Sequence, residues 1–281
     1  MTLVPAVPAA RDLSVRANPR EVRKTVLSIL YRGKASHLGP SMSVVEMLIA
    51  MYSSVDLDLI RAKDPLRPRI IISKGHCAAA TYSVMAHVGL LPWPLLETYH
   101  QDGSTLAGHV SHGVEYVEHS TGALGHGLSV ACGCAIGLRA RGAGQASVLV
   151  LLGDGEIQEG SVWEALMFAR HHRLTSLIPL IDNNRISSIT TTSDVIDMRP
   201  LKDRFAGFGF QVYEVDGHDV EAIMQAIATI RQRAEMGVVI CHTVKGRGVP
   251  FAECAPIWHY RSLSDKDYQA ALAALGQEAG R

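Results

Sequence analysis

Two segments of the chain carry residues whose types and spacing could hold an ion. The apolar run 147–152 delivers Gly153-Asp154-Gly155-Glu156-Ile157-Gln158-Glu159-Gly160, and the run 177–182 delivers Asp182-Asn183-Asn184-Arg185-Ile186. A strand that hands a glycine-flanked carboxylate to a sheet edge, a returning helix, and a next strand that hands carboxamides to the same edge make one βαβ unit. Asp154 and Asn184 can then face one ion. A hard divalent cation takes oxygen ligands in octahedral array and keeps positions for phosphate oxygens. One carboxylate, one amide oxygen and one backbone carbonyl therefore suit Mg²⁺ or Ca²⁺ holding a diphosphate. The same residues would also serve as a glycine-rich turn with a capping aspartate.

Periodicity supplies the frame. Asn18 can cap a helix with Pro19 in its first turn, and Val22, Val26, Ile29 and Leu30 recur at helical spacing until Gly33 ends it. A second amphipathic stretch covers 44–52, and Arg69-Ile70-Ile71-Ile72-Ser73 reads as a buried strand that ends at Lys74-Gly75-His76. Apolar strands follow at 147–152, 177–182, 211–215 and 237–242, separated by helical segments around 158–172, 200–206 and 219–234. Continuous apolar strands alternating with helices predict a single α/β domain, a mostly parallel sheet with helices on both faces. In such sheets ligands bind beyond the carboxyl ends of the strands, so chemistry is expected in the loops after Ser73, Leu152, Asp182, Val215 and His242. Residues 1–17, with Pro5 and Pro8 and no periodicity, are expected as a flexible arm, 18–262 as the domain and 263–281 as a C-terminal tail. The helix expected over 127–139 carries Cys132, Gly133, Cys134, Ala135 and Gly137, small side chains that suit either tight core packing or a subunit contact.

Composition narrows the function classes. The 27 Lys+Arg balance the 27 Asp+Glu, so no basic field collects nucleic acid or an anionic membrane, and phosphate recognition has to be local. No apolar run reaches the roughly 18 residues that cross a bilayer, and residues 1–8 lack the regions of a signal peptide. The five cysteines contain no C-x-x-C, which suits a reduced compartment, and a cytoplasmic chain is expected. Gly153-Asp154-Gly155 continues to Gln158 rather than glycine, and the Gly33-Lys34 pair ends a helix, so dinucleotide and P-loop motifs fail. Neither a G-x-S-x-G elbow nor H-E-x-x-H occurs. His109, His112, Cys132 and Cys134 could be assembled into a zinc site only at spacings looser than structural zinc sites show.

Gly153-Asp154-Gly155 with Asn184 matches the thiamine diphosphate signature, and the run from Gly153 to Gly160 resembles its transketolase version. Ser36-His37-Leu38-Gly39, Ser73-Lys74-Gly75-His76, Gly108-His109, Ser120-Thr121-Gly122-Ala123-Leu124-Gly125-His126-Gly127, Val215-Asp216-Gly217-His218-Asp219, Lys245-Gly246-Arg247-Gly248 and Trp258-His259 fall in the transketolase order, over about 18 to 262. The chain resembles the amino-terminal, diphosphate-binding subunit of a split, two-component transketolase.

That resemblance implies that Asp154, Asn184 and the carbonyl of Ile186 hold the metal, while His76, Gly155 and Asn184 attend the diphosphate. It places Gly122 and Leu124 against the cofactor near its thiazolium and pyrimidine, and His37, His109 and His259 along the substrate channel as catalytic residues. Imidazoles there can relay protons and hydrogen-bond a sugar's hydroxyls near neutral pH. His87, His100, His171, His172 and His242 match no motif and read as structural or surface residues. The implied activity is transfer of a two-carbon ketol unit from a ketose to an aldehyde acceptor, on sugars or sugar phosphates. Acyl transfer from a 2-oxo acid to a specialised sugar is a related alternative. The alpha subunit of a 2-oxo acid dehydrogenase is another, against which Glu156 to Gly160 and Trp258-His259 speak, and a non-catalytic scaffold is disfavoured by the intact Asp154 and Asn184. Three departures fall on the substrate side: Ser36-His37-Leu38 stands where glycine-histidine-proline is usual, Ala123-Leu124-Gly125-His126 where proline-leucine-glycine-glutamine is usual, and Tyr260 where glycine follows the histidine. Full-length transketolases carry a pyrimidine-binding domain with an activating glutamate. Glu156 and Glu159 sit on the metal-side loop and do not replace it, so a separately encoded pyrimidine-domain partner is expected, two copies of each chain forming a heterotetramer.

Overall fold

Five apolar runs pair edge to edge in the computed structural model, which describes residues 17–277. They are β1 (Arg69–Ile72), β2 (Val148–Gly153), β3 (Leu177–Asn183), β4 (Gln211–Asp216) and β5 (Gly237–His242), ordered β1-β2-β3-β5-β4 with every pairing parallel. Residues alternate between two cores because strand side chains alternate between faces. Ile70, Ile72, Leu149, Leu151, Ile178 and Leu180 pack with the helices Pro19–Arg32, Val45–Ser53, Ala78–His87 and Val220–Arg233. Ile71, Val148, Val150, Leu152, Leu177 and Ile181 pack with Gly127–Ala140 and Gly160–His171. Each such fully buried aliphatic contributes on the order of 1.5–3 kcal/mol. The edge strand β4 is only partly buried, consistent with its polar residues Gln211, Glu214 and Asp216, which are its exposed ones.

Register places the strand ends level. Gly153 lies opposite Asp182, Asp182 opposite Cys241, and His242 opposite Asp216, so the loops after β2, β3, β5 and β4 leave from one edge. The first helix starts as its sequence dictates: Asn18 Oδ1 accepts the Arg20 N–H at 2.9 Å, and Pro19 follows at a position that needs no N–H partner.

Three segments differ from expectation. The stretch read as amphipathic, 44–52, is the helix Val45–Ser53, buried on every side, because helices and sheet enclose it completely. Ala78–His87 has no counterpart in the periodicity; its nine buried residues from Ala78 to Ala86 leave no polar face and hence no 3.6-residue pattern. The segment expected as a tail forms the helix Asp265–Gln277, with Ala271 and Leu275 buried and Tyr268 stacked on Tyr31 at 4.1 Å between ring centroids. Arg20 donates to the Leu275 and Gly276 carbonyls near its end. The arm read over residues 1–17 lies, but for Ala17, outside the described residues. No helix among the described residues is long and apolar enough to cross a membrane.

Candidate active site

The loops leaving the carboxyl edge after β1, β2, β3 and β5 close around one cavity of about 570 Å³. His37, His76, His109, Gly122, Leu124, Asp154, Gly155, Asn184, Ile186 and His259 all line it. Every site residue singled out in the sequence is thus brought to one place, although His37 and His259 stand at opposite ends of the domain.

At one end sits Asp154, 6% exposed. Its carboxylate accepts the Gly155 N–H at 2.8 Å and the Arg185 N–H. Burial, with the charge of Asp182 nearby, pushes its pKa up to about 7 despite these bonds. Arg185 takes a left-handed φ of 64°, turning the chain sharply between Asn184 and Ile186. Asn184 Oδ1 accepts the Ile186 N–H at 3.0 Å, and its Nδ2 donates to Asp182 at 2.9 Å. Asp154, the Asn184 amide oxygen and the Ile186 carbonyl are three hard oxygen donors of the kind a hard divalent cation takes.

Three ionisable groups to which sequence reasoning assigns no role organise this end. Lys74 is buried and paired with the fully buried Asp182, which also accepts from Ser43 Oγ at 2.8 Å and from Thr243 Oγ1. Burial alone would raise the Asp182 pKa, but Lys74 and these hydroxyls hold it below the usual range. Lys245 donates to the carbonyls of Ile186 and Ser187, at 3.0 and 2.6 Å, and to His259 Nδ1 at 3.2 Å. Its pKa is lowered to about 8, first by burial and then by Lys74. Glu156, 1% exposed, ties three loops together: it accepts from Ser73 Oγ, from the Gly125 N–H at 2.9 Å and from the Gly153 N–H at 3.1 Å. All three stand within motifs of the sequence, but nothing local marks Glu156 as a clamp.

The other end is built of imidazoles. The His37 ring lies 5.7, 5.2 and 5.3 Å from those of His76, His109 and His259, and His76 lies 5.0 Å from His259. His37 holds a left-handed φ of 72° at the start of a short helix, and its N–H donates to the His259 carbonyl at 3.0 Å, joining the two ends of the domain. Burial lowers all four pKa values, with neighbouring histidines and lysines adding to the effect at His37, His76 and His259. His37 falls to about 4 and His259 to about 3. The rings are therefore neutral at pH 7. An ammonium only donates, so Lys245 fixes the His259 proton on Nε2.

The departures and unmatched histidines also find places. Tyr260, 60% exposed, stands at the mouth beside the His259 ring. His126 starts the helix Gly127–Ala140, its Nδ1 3.2 Å from the Ala123 carbonyl. His242 bonds Asn183 and Glu214, His100 the Gly33 carbonyl, and His87 Thr25, whereas the His171 and His172 rings meet edge to face at 4.8 Å. His109 faces the cavity while Cys132 donates to the Ala165 carbonyl, which separates the members of the loosely spaced zinc set.

A family model described as the transketolase, thiamine diphosphate binding domain matches residues 17–280. An apulose-4-phosphate transketolase subunit of Actinobacillus succinogenes is 37% identical over 261 residues, covering 91% of this chain and 93% of that protein. The 6-deoxy-6-sulfo-D-fructose transketolase subunit SqwG of Clostridium sp. is 32% identical over 270 residues, covering 95% and 97%. Among solved structures, transketolase from Leishmania mexicana is similar with a TM-score of 0.78 at 26% identity, covering 97% of this chain and 42% of that one. A transketolase from Pichia stipitis gives 0.79 at 25% identity, covering 92% and 40%. This chain spans about two fifths of those solved transketolase chains. With the family model covering nearly its whole length, the chain belongs to the transketolase family, as its thiamine diphosphate-binding domain.

Proposed function

We propose that this chain is the diphosphate-binding subunit of a two-component transketolase that transfers a two-carbon ketol unit from a ketose to an aldehyde acceptor. The observation that carries this reading is the polarity of one cavity: three hard oxygen donors with a buried carboxylate at one end, four neutral imidazoles at the other.

The residues present fit a metal-bound diphosphate. Among the described residues no cation bonds the Asp154 carboxylate, which burial and the charge of Asp182 make costly to keep ionised without a counter-charge. Asp154, Asn184 Oδ1 and the Ile186 carbonyl would hold Mg²⁺, or Ca²⁺. Gly155 and His76 would attend the diphosphate, with Lys245 supplying a nearby positive charge. Gly122 and Leu124 would form the wall against the cofactor's rings. Thiamine diphosphate, once bound, supplies the nucleophilic carbon that the twenty amino acids lack. His37, His109 and His259 would orient the ketose through its hydroxyls and move protons at its oxygens, a role that neutral imidazoles fill because each offers one donor and one acceptor.

Relatives named as individual transketolase subunits, matched over more than nine tenths of their length, support a separately encoded pyrimidine-domain partner, assembled two with two. The five cysteines are unpaired, in keeping with a reduced, cytoplasmic setting. The test is donor cleavage by the purified chain with thiamine diphosphate and Mg²⁺, with and without the partner, offering a ketose or a 2-oxo acid. Ketose cleavage that appears on mixing is the expected result. Cleavage of the 2-oxo acid alone would favour acyl transfer, and full turnover by the chain alone, verified free of partner by mass spectrometry, would overturn the two-component reading.

A further inference from the structure

The Asp216-Gly217-His218-Asp219 motif lines no part of the cavity, yet each of its residues is committed to one geometry. Asp216 Oδ1 accepts the His218 N–H at 2.8 Å. Gly217 approaches the exit of β5 so closely that a Cβ would stand 2.2 Å from Thr243 Cγ2, and its N–H donates to the His242 carbonyl at 2.8 Å. Asp219 caps the helix Val220–Arg233, accepting from the Ala222 N–H at 3.0 Å. All three place the His218 imidazole, whose side chain is 11% exposed.

That ring has a defined tautomer. Its Nε2 accepts the Val244 N–H at 2.8 Å, and a backbone N–H can only donate. The proton therefore sits on Nδ1, which donates to Glu46 Oε2 at 3.1 Å. Glu46 is locked in turn by both terminal nitrogens of Arg23, at 2.6 and 2.7 Å. Val244 immediately precedes Lys245, the ammonium that lies on the Ile186 and Ser187 carbonyls and on His259. On the other side of Lys245, the Gly246 N–H donates to the Gly39 carbonyl at 3.0 Å. The backbone around Lys245 thus has a pin on each side, and one is an imidazole with no contact to the cavity.

We infer that His218 is a positioning residue: held by the Arg23–Glu46 pair, it fixes the backbone at Val244 and thereby the Lys245 ammonium beside the Ile186 carbonyl. The inference rests on the reading that this cavity takes thiamine diphosphate with its metal, and it assigns the motif to cofactor retention rather than to substrate. Buried second-layer partners commonly orient the groups that touch a ligand.

Three variants of the full chain separate the possibilities. His218→Leu keeps bulk and removes the acceptor. His218→Asn keeps a polar partner for Glu46 but is too short to reach Val244. His218→Gln carries a carbonyl oxygen at roughly the reach of Nε2. The readouts are hydrogen exchange across residues 243–249, and thiamine diphosphate affinity with Mg²⁺ by calorimetry. In the Leu and Asn variants exchange should quicken and cofactor affinity fall about tenfold, as expected when an N–H loses its acceptor. The Gln variant should recover affinity to within about threefold of wild type. Wild-type exchange and affinity in the Leu and Asn variants would overturn the assignment. So would equal losses in all three variants with a common fall in melting temperature, which would make His218 a packing residue. If the wild-type chain assembled with its partner takes up no cofactor, the functional reading fails instead, and the exchange data still decide the His218–Val244 link.

Discussion

Replacing Glu46 by Gln should cost stability out of proportion to the atoms changed. Arg23 is 5% exposed and Glu46 4% exposed, and the carboxylate takes two guanidinium hydrogen bonds and one from His218. A carboxamide of the same shape keeps one acceptor and turns a donor toward a donor, whichever way it lies, while the guanidinium loses its carboxylate. Removing one partner of a buried pair costs about 3–5 kcal/mol. Arg23 keeps the Arg247 and Met42 carbonyls, at 3.1 and 3.3 Å, which points to the lower end of that range. At about 2–4 °C per kcal/mol for a chain of this size, the melting temperature should fall by roughly 6–12 °C. Glu21→Gln is the control: its pair with Lys24 spans 2.8 Å but is solvent-exposed, and water and salt screen most of what such a pair contributes. Urea titration and calorimetry of both variants measure the contrast. Equal, small losses in the two would refute the claim that burial, rather than pairing itself, gives the Arg23–Glu46 contact its weight. The acid limb offers a second check. Burial alone would raise the Glu46 pKa, but His218 and Arg23 hold it below its usual value. Its contribution is therefore present above the unfolded pKa, is lost as pH falls through the folded pKa, and should be missing from the Gln variant.

Asp154→Ala should abolish the Mg²⁺-dependent rise in melting temperature that thiamine diphosphate gives the wild-type chain, about 2.7 kcal/mol at a hundredfold excess over Kd; an undiminished rise would remove Asp154 from the metal site. His76→Ala should first weaken cofactor binding, whereas His37→Ala, His109→Ala and His259→Ala should lower turnover by about 10²–10⁴-fold or raise the substrate KM with cofactor bound, read from steady-state kinetics of the assembled enzyme. His37 and His259 are depressed from 6.5 to about 4 and about 3, so the unfolded chain takes up protons first; stability from these groups is complete above pH 6.5 and lost as pH falls toward 4. The His37→Asn/His259→Asn double variant should flatten the urea midpoint between pH 6.5 and 4.5, and an unchanged slope there would contradict their neutral burial.

What the sequence made legible was whatever is local. The Asp154 and Asn184 ends of two strands could be read as one ion site because strand, turn and helix signals place both at one edge. The parallel sheet followed from five apolar runs whose bounds agree with the structure to within a residue or two. The imidazole cluster was legible only through motif order, since no periodicity announces that His37 and His259 meet. The buried charge pairs escaped altogether. Lys74 finds Asp182 108 residues on, and His218 finds Glu46 172 residues back. A lysine or glutamate with no local partner reads as solvated surface, so only the fold reveals that these are interior. The buried helix Ala78–His87 hid for the complementary reason: enclosure on all sides erases the polar face that marks a helix, and the same enclosure made the stretch 44–52, read as amphipathic, a helix with no exposed face.

The cavity separates two kinds of recognition by where it spends charge. At the Asp154 end the charge of Lys74 is already neutralised by Asp182, while that of Lys245 rests only on carbonyls and an imidazole. Of the two lysines described along this cavity, Lys245 is thus the one free to answer an anion that arrives there, and with its pKa lowered to about 8 it is still mostly protonated at pH 7. The same two lysines bear on the histidines, since their charge, after burial, lowers His37, His76 and His259. A proton added to any of these rings would stand against existing positive charge in a poorly solvated wall. The four rings therefore offer oriented donors and acceptors without charge of their own, which suits hydroxyls and carbonyls, while the Lys245 ammonium stands behind them on His259 Nδ1. Under the proposed function, any preference for a phosphorylated over a neutral sugar would then have to come from groups other than these four uncharged rings.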